Sequence, residues 1–445
     1  MEPTSPSVQS NQSSNRLLFK GLLIGGLVLL LLIPAALLNG LVSERAERQQ
    51  QVVAEVSSKW AGAQTLIGPI VAVPFHFPVT GTNGKQATGT RWAYFLPNEL
   101  RINGQLTPEL RHRSLYTVLL YRSRLKLEGR FLPLSPQSIQ LDPGQMDWSG
   151  AQLLLGLDDG RGLEEEVHVT WNGAALPLES GMPENEVLGS GLHTSLPGNT
   201  INGASFSIDL QLKGSTSLYA APVGKTTSVT LTSPWNSPAF DGQYLPTETK
   251  ADGKNGFIAQ WKVLHVSRPY PQAWKASKPD LKASAFGVRL VEPAGGYAKT
   301  ERSVKYAILF IALTFAVFFF IEALQHRPVH PLQYLLVGLA LCVFYTLLLS
   351  ISEYTGFNAA YGIATVATVT LIGLYTWGLF NKSSIAAGFS AALAGLYGFI
   401  YVLIQQEDRA LLFGSIGLFA ILAVLMYFSR KIDWYGRKLI MTPAP

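Results

Sequence analysis

Charge vanishes from this chain in six places. Gly21–Leu38, Tyr306–Leu324, Leu332–Ile351, Ala359–Phe380, Ile385–Ile404 and Leu411–Phe428 are apolar runs, and a helix of about 18 to 20 such residues crosses a bilayer. Glu322, near the end of its run, is the one charged residue inside them. Between the first two runs the pattern switches to period two. In Tyr121–Phe131, residues Tyr121, Ser123, Leu125, Leu127 and Phe131 alternate with Arg122, Arg124, Lys126, Glu128 and Arg130, which predicts one dry and one wet face, as in an antiparallel sheet. Ala204–Leu212 repeats the alternation. Ile67–Phe75, Val229–Leu231, Phe257–Val266 and Phe286–Val291 read as further strands. Asn172-Gly173 and Asn103-Gly104 are dipeptides suited to tight hairpin turns. Val42–Ser58 spaces Val42, Ala46, Val52, Val53 and Val56 among polar residues, as an amphipathic helix prolonging the first run would.

The fold class expected is therefore a multi-pass α-helical membrane protein with a large, mainly β, sandwich-like domain. The expected segments are a polar tail at 1–20, whose first 15 residues are Ser-rich and expected to be disordered, and an anchor at 21–38. A β-rich domain at 41–303, five transmembrane helices at 306–428 and a basic tail at 429–445 follow. The first run is longer than a signal-peptide core and lacks an A-x-A site, so a retained anchor is expected.

Composition agrees once charge is mapped. Only 14% of the 445 residues are charged, against about 25% in ordinary soluble domains. Leu41–Ser303 holds 25 Lys and Arg against 23 Asp and Glu, so most of the net +6 lies outside it. Arg16 and Lys20 precede the first run, Arg430, Lys431, Arg437 and Lys438 follow the last, and Arg327 and Lys382 fall in loops of the same side. The opposite loops, Ser352–Asn358 and Gln405–Ala410, carry Glu353, Glu407 and Asp408 against Arg409. By the positive-inside rule both termini are expected in the cytoplasm and the β-rich domain on the opposite, external side of the membrane. This topology accounts for the basic pI without a nucleic-acid partner, and the bilayer itself is the first partner implied.

Signatures of chemistry are sparse. One cysteine, Cys342, allows neither an internal disulfide nor a multi-cysteine metal site. Gly224-Lys225-Thr226 ends like a P-loop, but Tyr219 stands where the first glycine belongs, so a hairpin turn is expected. His326 and His330 have helical i, i+4 spacing that could present two metal ligands, yet Pro328 and Pro331 interrupt any helix there. No cofactor is implied. Glu322 is expected to pair with Arg327 or a histidine, or to snorkel, since intramembrane carboxylates seek partners or the interface. Ala387, Ala391 and Gly395 form a ridge of small residues suited to close helix packing. Trp377, Trp434 and Tyr435 suit an interfacial belt.

Several blocks carry a family resemblance: His330–Tyr361, IGPIVAVPF, SPWNSPAFDGQYLP (Ser233–Pro246), GFIAQW (Gly256–Trp261) and KIDWY (Lys431–Tyr435). Together they resemble the inner-membrane CreD family, also called cell envelope integrity proteins, over nearly the whole chain after the tail. The resemblance implies a Gram-negative inner-membrane protein associated with envelope integrity and linked to a two-component sensory system. It carries over no catalytic residue. The function expected is non-enzymatic, with the periplasmic domain recognising an envelope component or a protein partner. The rivals are a small-molecule exporter, and an enzyme acting on envelope glycan or lipid through the acidic stretch Asp158, Asp159, Glu164, Glu165 and Glu166.

Overall fold

The computed structural model describes residues 11–80, 86–182, 188–251, 255–275, 277–291, 296–325, 328–406 and 409–430. The chain divides into two compact units, Gln50–Pro293 and a second built from the residues on either side of it.

The flanking unit is helical. Helix α1 (Asn11–Trp60) is continuous through the anchor and the amphipathic stretch behind it, about 75 Å of helix at 1.5 Å per residue. Residues 11–15, expected to be disordered, are its first turns; residues 1–10 lie outside the described set. Then come α2 (Gly296–Lys305), α3 (Ala307–Gln325), α4 (Pro331–Thr355), α5 (Phe357–Phe380), α6 (Ser383–Gln405) and α7 (Ala410–Ser429). Six of these helices are long and apolar enough to span a membrane. The expected loop at Ser352–Asn358 shrinks to Gly356, whose φ of 79° ends α4 and starts α5. Glu353 consequently belongs to a helix. On α6 the ridge of Ala387, Ala391 and Gly395 is exposed. The opposite face, with Phe389, Leu393, Tyr397 and Ile400, is the one that packs, because larger side chains bury more apolar area per residue.

Leu31 of α1, 1% exposed, seats against Gly338 of α4, where a Cβ would meet its methyl carbons. Polar clamps hold α1 at two levels. Lys20 pairs with Glu322 of α3. Twenty-five residues later Arg45 lies 3.8 Å from Glu353 of α4, which also accepts a 2.9 Å hydrogen bond from the Tyr297 hydroxyl. The separation along the helix, about 37 Å, exceeds a hydrocarbon core of about 30 Å, so each charge can sit at a boundary.

Gln50–Pro293 is the β domain. Its strands are β1 (Gln64–Thr80), β2 (Gln86–Phe95), β3 (Glu99–Arg113), β4 (Tyr116–Phe131), β5 (Gln152–Leu157), β6 (His168–Trp171), β7 (Ala174–Pro177) and β8 (Glu179–Ser180). They continue with β9 (Gly191–Ser195), β10 (Ala204–Ser215), β11 (Ser217–Ala220), β12 (Thr226–Ser233), β13 (Pro238–Gly242), β14 (Glu248–Ala251), β15 (Phe257–Leu264), β16 (Ala273–Lys275) and β17 (Phe286–Leu290). One sheet runs β14-β15-β12-β3-β4-β10-β6-β7. The other runs β13-β17-β11-β1-β5-β9-β8, with β2 and β16 attached through β1. A single apolar cluster draws on both sheets. The sheets are mixed rather than antiparallel throughout, since β1 pairs with β11 and β3 with β12 in parallel. Residues 64–75 of β1 are buried without a break, which explains an unalternating apolar run in a strand flanked on both sides.

Turn chemistry is right once and wrong twice. Asn172 (φ 48°) and Gly173 (φ 87°) form the hairpin between β6 and β7. Asn103-Gly104 instead lies inside β3, because β3 pairs with β4 from Glu99 to Arg113 and turns only at Ser114. Gly224-Lys225-Thr226 is not a hairpin either. It carries the chain from β11 in one sheet to β12 in the other, a crossing imposed because each strand joins a parallel partner.

The blocks Ser233–Pro246 and Gly256–Trp261 form an aromatic staple across the sheets. Phe240 (β13) and Phe286 (β17) face Phe257 and Trp261 (β15), with ring centroids 5.5 to 5.9 Å apart. Tyr244 meets Phe286 edge to face at 5.7 Å, and its carbonyl accepts from the Trp261 indole at 3.1 Å.

Candidate functional site

Glu322 is buried one turn from the end of α3. Its carboxylate takes the Lys20 ammonium from α1, the Val329 N–H at 3.0 Å and the Tyr334 hydroxyl of α4 at 2.7 Å. Lys20 also donates to the Val329 carbonyl at 2.9 Å. Three chain segments thus converge on one carboxylate. The partner expected from sequence, Arg327, lies outside the described residues, as does His326. Lys20 was the partner to find, but it stands 302 residues away in sequence, beyond any local spacing signal. His330 is exposed and caps α4: its Nδ1 accepts from Leu332 N–H at 3.2 Å, while Gln333 accepts from the His330 N–H at 2.9 Å. Residues 328–330 are non-helical between α3 and α4. Among the described residues no cluster of three or more His, Cys, Asp or Glu could hold a metal.

The acidic stretch is spread over separate partners. Asp158 meets Lys282 at 2.8 Å, Glu164 meets Arg122 at 3.4 Å, and Glu165 accepts from Gln211 at 2.8 Å. Asp159 binds the Arg161 guanidinium at 2.8 Å and the Gly62 N–H at 3.1 Å, while Arg161 reaches the Ser58 carbonyl at the end of α1. The Arg161 hydrogen bond, against the opposing effect of burial, holds the Asp159 carboxyl down to about 2. A depressed carboxylate stabilises above its unfolded-state pKa and loses that contribution as pH falls through its folded value. The Asp159 contribution is therefore expected to be complete above roughly pH 4 and lost towards pH 2. Urea midpoints across that window should show Asp159→Asn losing about 1 kcal/mol at neutral pH, with a flatter acid limb. An unchanged acid limb would count against the linkage.

The wet face of the β14–β7 sheet carries no local motif that marks it in the sequence. Register aligns Thr230, Asn103, Lys126 and Asp209 across β12, β3, β4 and β10, and beside them Thr232, Gln105, Arg124 and Gln211. These two rows line a groove of about 420 Å³. With strands about 4.8 Å apart it is roughly 14 Å wide. Glu128, hydrogen-bonded to Lys126 at 2.7 Å, holds that ammonium above its ordinary value. The next row, Arg122 and Lys213, is taken up by Trp60 at the end of α1, whose ring lies 3.9 Å from Arg111, 4.8 Å from Lys213 and 5.5 Å from Arg122. The helix end thus covers one end of the polar face and leaves the two neighbouring rows to solvent. Amides and hydroxyls both donate and accept, and the two cations add donors of fixed charge, so the groove can bind a polar, polyhydroxylated chain. The signal for it was the alternation in Tyr121–Phe131 and Ala204–Leu212. Which outward side chains become neighbours depends on strand order.

The chain matches, over residues 16–435, the family model described as inner membrane protein CreD. It is 33% identical over 422 residues to the inner membrane protein CreD of Escherichia coli (strain K12), covering 93% of each chain.

Proposed function

The chain belongs to the CreD family of inner-membrane proteins, and on that premise we propose that it is a non-enzymatic envelope-integrity protein whose β domain recognises a glycan strand of the envelope from the periplasmic side. The observation that carries this reading is the groove of two amide, hydroxyl and cation rows at Asn103, Gln105, Arg124, Lys126, Gln211 and Thr230. Sugar hydroxyls pair in both directions with amides, and the twisted face of a sheet offers a long, shallow track for an extended polymer. Basic residues at Arg16, Lys20 and Arg430 support the orientation that puts both termini in the cytoplasm.

A photoreactive residue at Gln105 in the full chain, irradiated in intact cells, tests the reading. A glycan adduct that collapses on treatment with a glycan hydrolase is expected. Asn103→Trp, which fills the groove, should lower its yield about tenfold, the loss of roughly one good polar contact. Protein-only adducts, or equal yield in the tryptophan variant, would sink the glycan reading. Orientation has its own readout. Cys342 is buried, so an impermeant maleimide on intact spheroplasts should label Gln140→Cys and spare Lys382→Cys; the reverse pattern inverts the topology.

A further inference from the structure

We infer that the polymer taken by the polar groove is an acidic glycan, whose carboxylate or phosphate groups are held by Arg124 and, beside the groove, by Arg101 and Lys262. The inference rests on the glycan reading above and adds the charge of the ligand and the residues that read it.

Strand register lays the charges out as a grid. Three consecutive rows cross β15, β12, β3, β4 and β10 on the wet face, passing through Ser228, Thr230 and Thr232 of β12. Of these fifteen positions, Arg101, Arg124, Lys126 and Lys262 are cations and Glu128 and Asp209 are carboxylates. Ile258 is the one apolar side chain, and the remaining eight are hydroxyls and amides. Both carboxylates are spent on one lysine: Glu128 meets Lys126 at 2.7 Å, and Asp209 stands opposite it in register. Among the described residues, the side chains of Arg101, Arg124 and Lys262 make no ion pair or hydrogen bond.

Elsewhere on the same sheet the cations are taken. Arg130 meets Glu99 at 2.5 Å, Arg122 meets Glu164 at 3.4 Å, and Lys213 lies over the Trp60 ring at 4.8 Å. The unanswered positive charge is therefore gathered at the polar floor, where it attracts anions. Arg101 and Lys262 are two strands apart, about 10 Å, and Arg101 and Arg124 are about 14 Å apart. A polymer with charges spread along its length meets all three; a compact ion meets one. Each guanidinium can take an oxyanion through two parallel N–H groups, while Gln105 and Thr232, beside Arg124 in register, are left for sugar hydroxyls. An acidic peptide fits less well. Peptides add to sheet edges through free backbone groups and lodge side chains in pockets, and this is the middle of a sheet whose ladders are complete.

The test titrates the full chain in nanodiscs with hexagalacturonate, pentamannosyl phosphate, neutral maltohexaose and poly-L-glutamate, read by calorimetry. Wild type should bind an acidic sugar about tenfold more tightly than maltohexaose, the worth of one charge-assisted contact. Which acidic sugar binds better then tells carboxylate from phosphate. Arg124→Gln should lose the preference, Arg124→Lys should keep part of it, and Arg130→Gln, a cation already paired on the same strand, should keep all of it. Equal binding of acidic and neutral sugars by wild type, abolished by Asn103→Trp, overturns the inference and leaves the glycan reading standing. Binding of no sugar overturns both. A preference that survives Arg124→Gln and Arg101→Gln overturns the inference, and poly-L-glutamate binding as tightly as the acidic sugars overturns it in favour of an acidic polypeptide.

Discussion

Glu322→Ala is expected to destabilise the helical unit by about 3 to 5 kcal/mol, the usual cost of leaving a buried charge without its partner. The substitution strands the Lys20 ammonium, the Val329 N–H and the Tyr334 hydroxyl together, since all three converge on that carboxylate. Glu322→Gln keeps an acceptor for the two neutral donors and should cost less. Lys20→Met should destabilise nearly as much as the alanine variant. Combining Lys20→Met with Glu322→Leu should recover most of the loss, because an apolar pair of similar volume has no charge to desolvate. Melting temperatures of the full chain in detergent decide the matter: a Glu322→Ala protein melting with wild type would remove the clamp. The clamp is read as structural, so Glu322→Gln at normal protein level should still complement an envelope defect. Failure to complement, with the protein present and folded, would instead assign the carboxylate a functional role.

Phe286→Ala is the second large effect, at about 3 to 5 kcal/mol for a buried phenylalanine cut back to alanine. Phe286 is fully buried on β17 and meets Tyr244 and Trp261 ring to ring. Its loss opens a cavity where the two sheets touch, rather than at a sheet edge that could collapse. Trp261 belongs to one sheet and Phe286 to the other, so the expected signature is a cooperative loss of the whole β domain. Urea unfolding followed by tryptophan fluorescence should show a single transition at a lower midpoint. A midpoint within experimental scatter of wild type would mean that the staple carries little of the domain's stability.

These two sites differ in how far the sequence revealed them. The aromatic blocks around Phe240, Tyr244, Phe257 and Trp261 carried the family resemblance, and Phe257–Val266 and Phe286–Val291 read as strands, yet β13 did not, and nothing local marked the meeting of these rings across two sheets. Glu322 stood out because a carboxylate in an apolar run is costly wherever it ends up. Its partner did not stand out, because Lys20 becomes a neighbour only when α1 packs against α3 and α4. The polar groove is the sharper case. Arg124 and Lys126 read as an ordinary wet face of β4, and only the insertion of β3 between β4 and β12, in parallel with the latter, sets Asn103 and Thr230 beside them. Asn103-Gly104 misled for the same reason: a dipeptide with strong local turn preference was overridden by a fifteen-residue pairing.

What the sequence determined by itself was everything set by the solvent at each residue. Runs without charge must span or be buried, period-two stretches must have a wet and a dry face, and a lone cysteine rules out a disulfide framework. Those constraints act residue by residue and marked the six apolar helices, the β domain and several of its strands. The tertiary structure decided what depends on pairs distant along the chain: strand order, the two parallel pairings, the Lys20–Glu322 clamp and the polar rows. The physical reason is range. Hydropathy and period are properties of a short window. Contact between residues hundreds of positions apart depends on which elements bury the most apolar surface together.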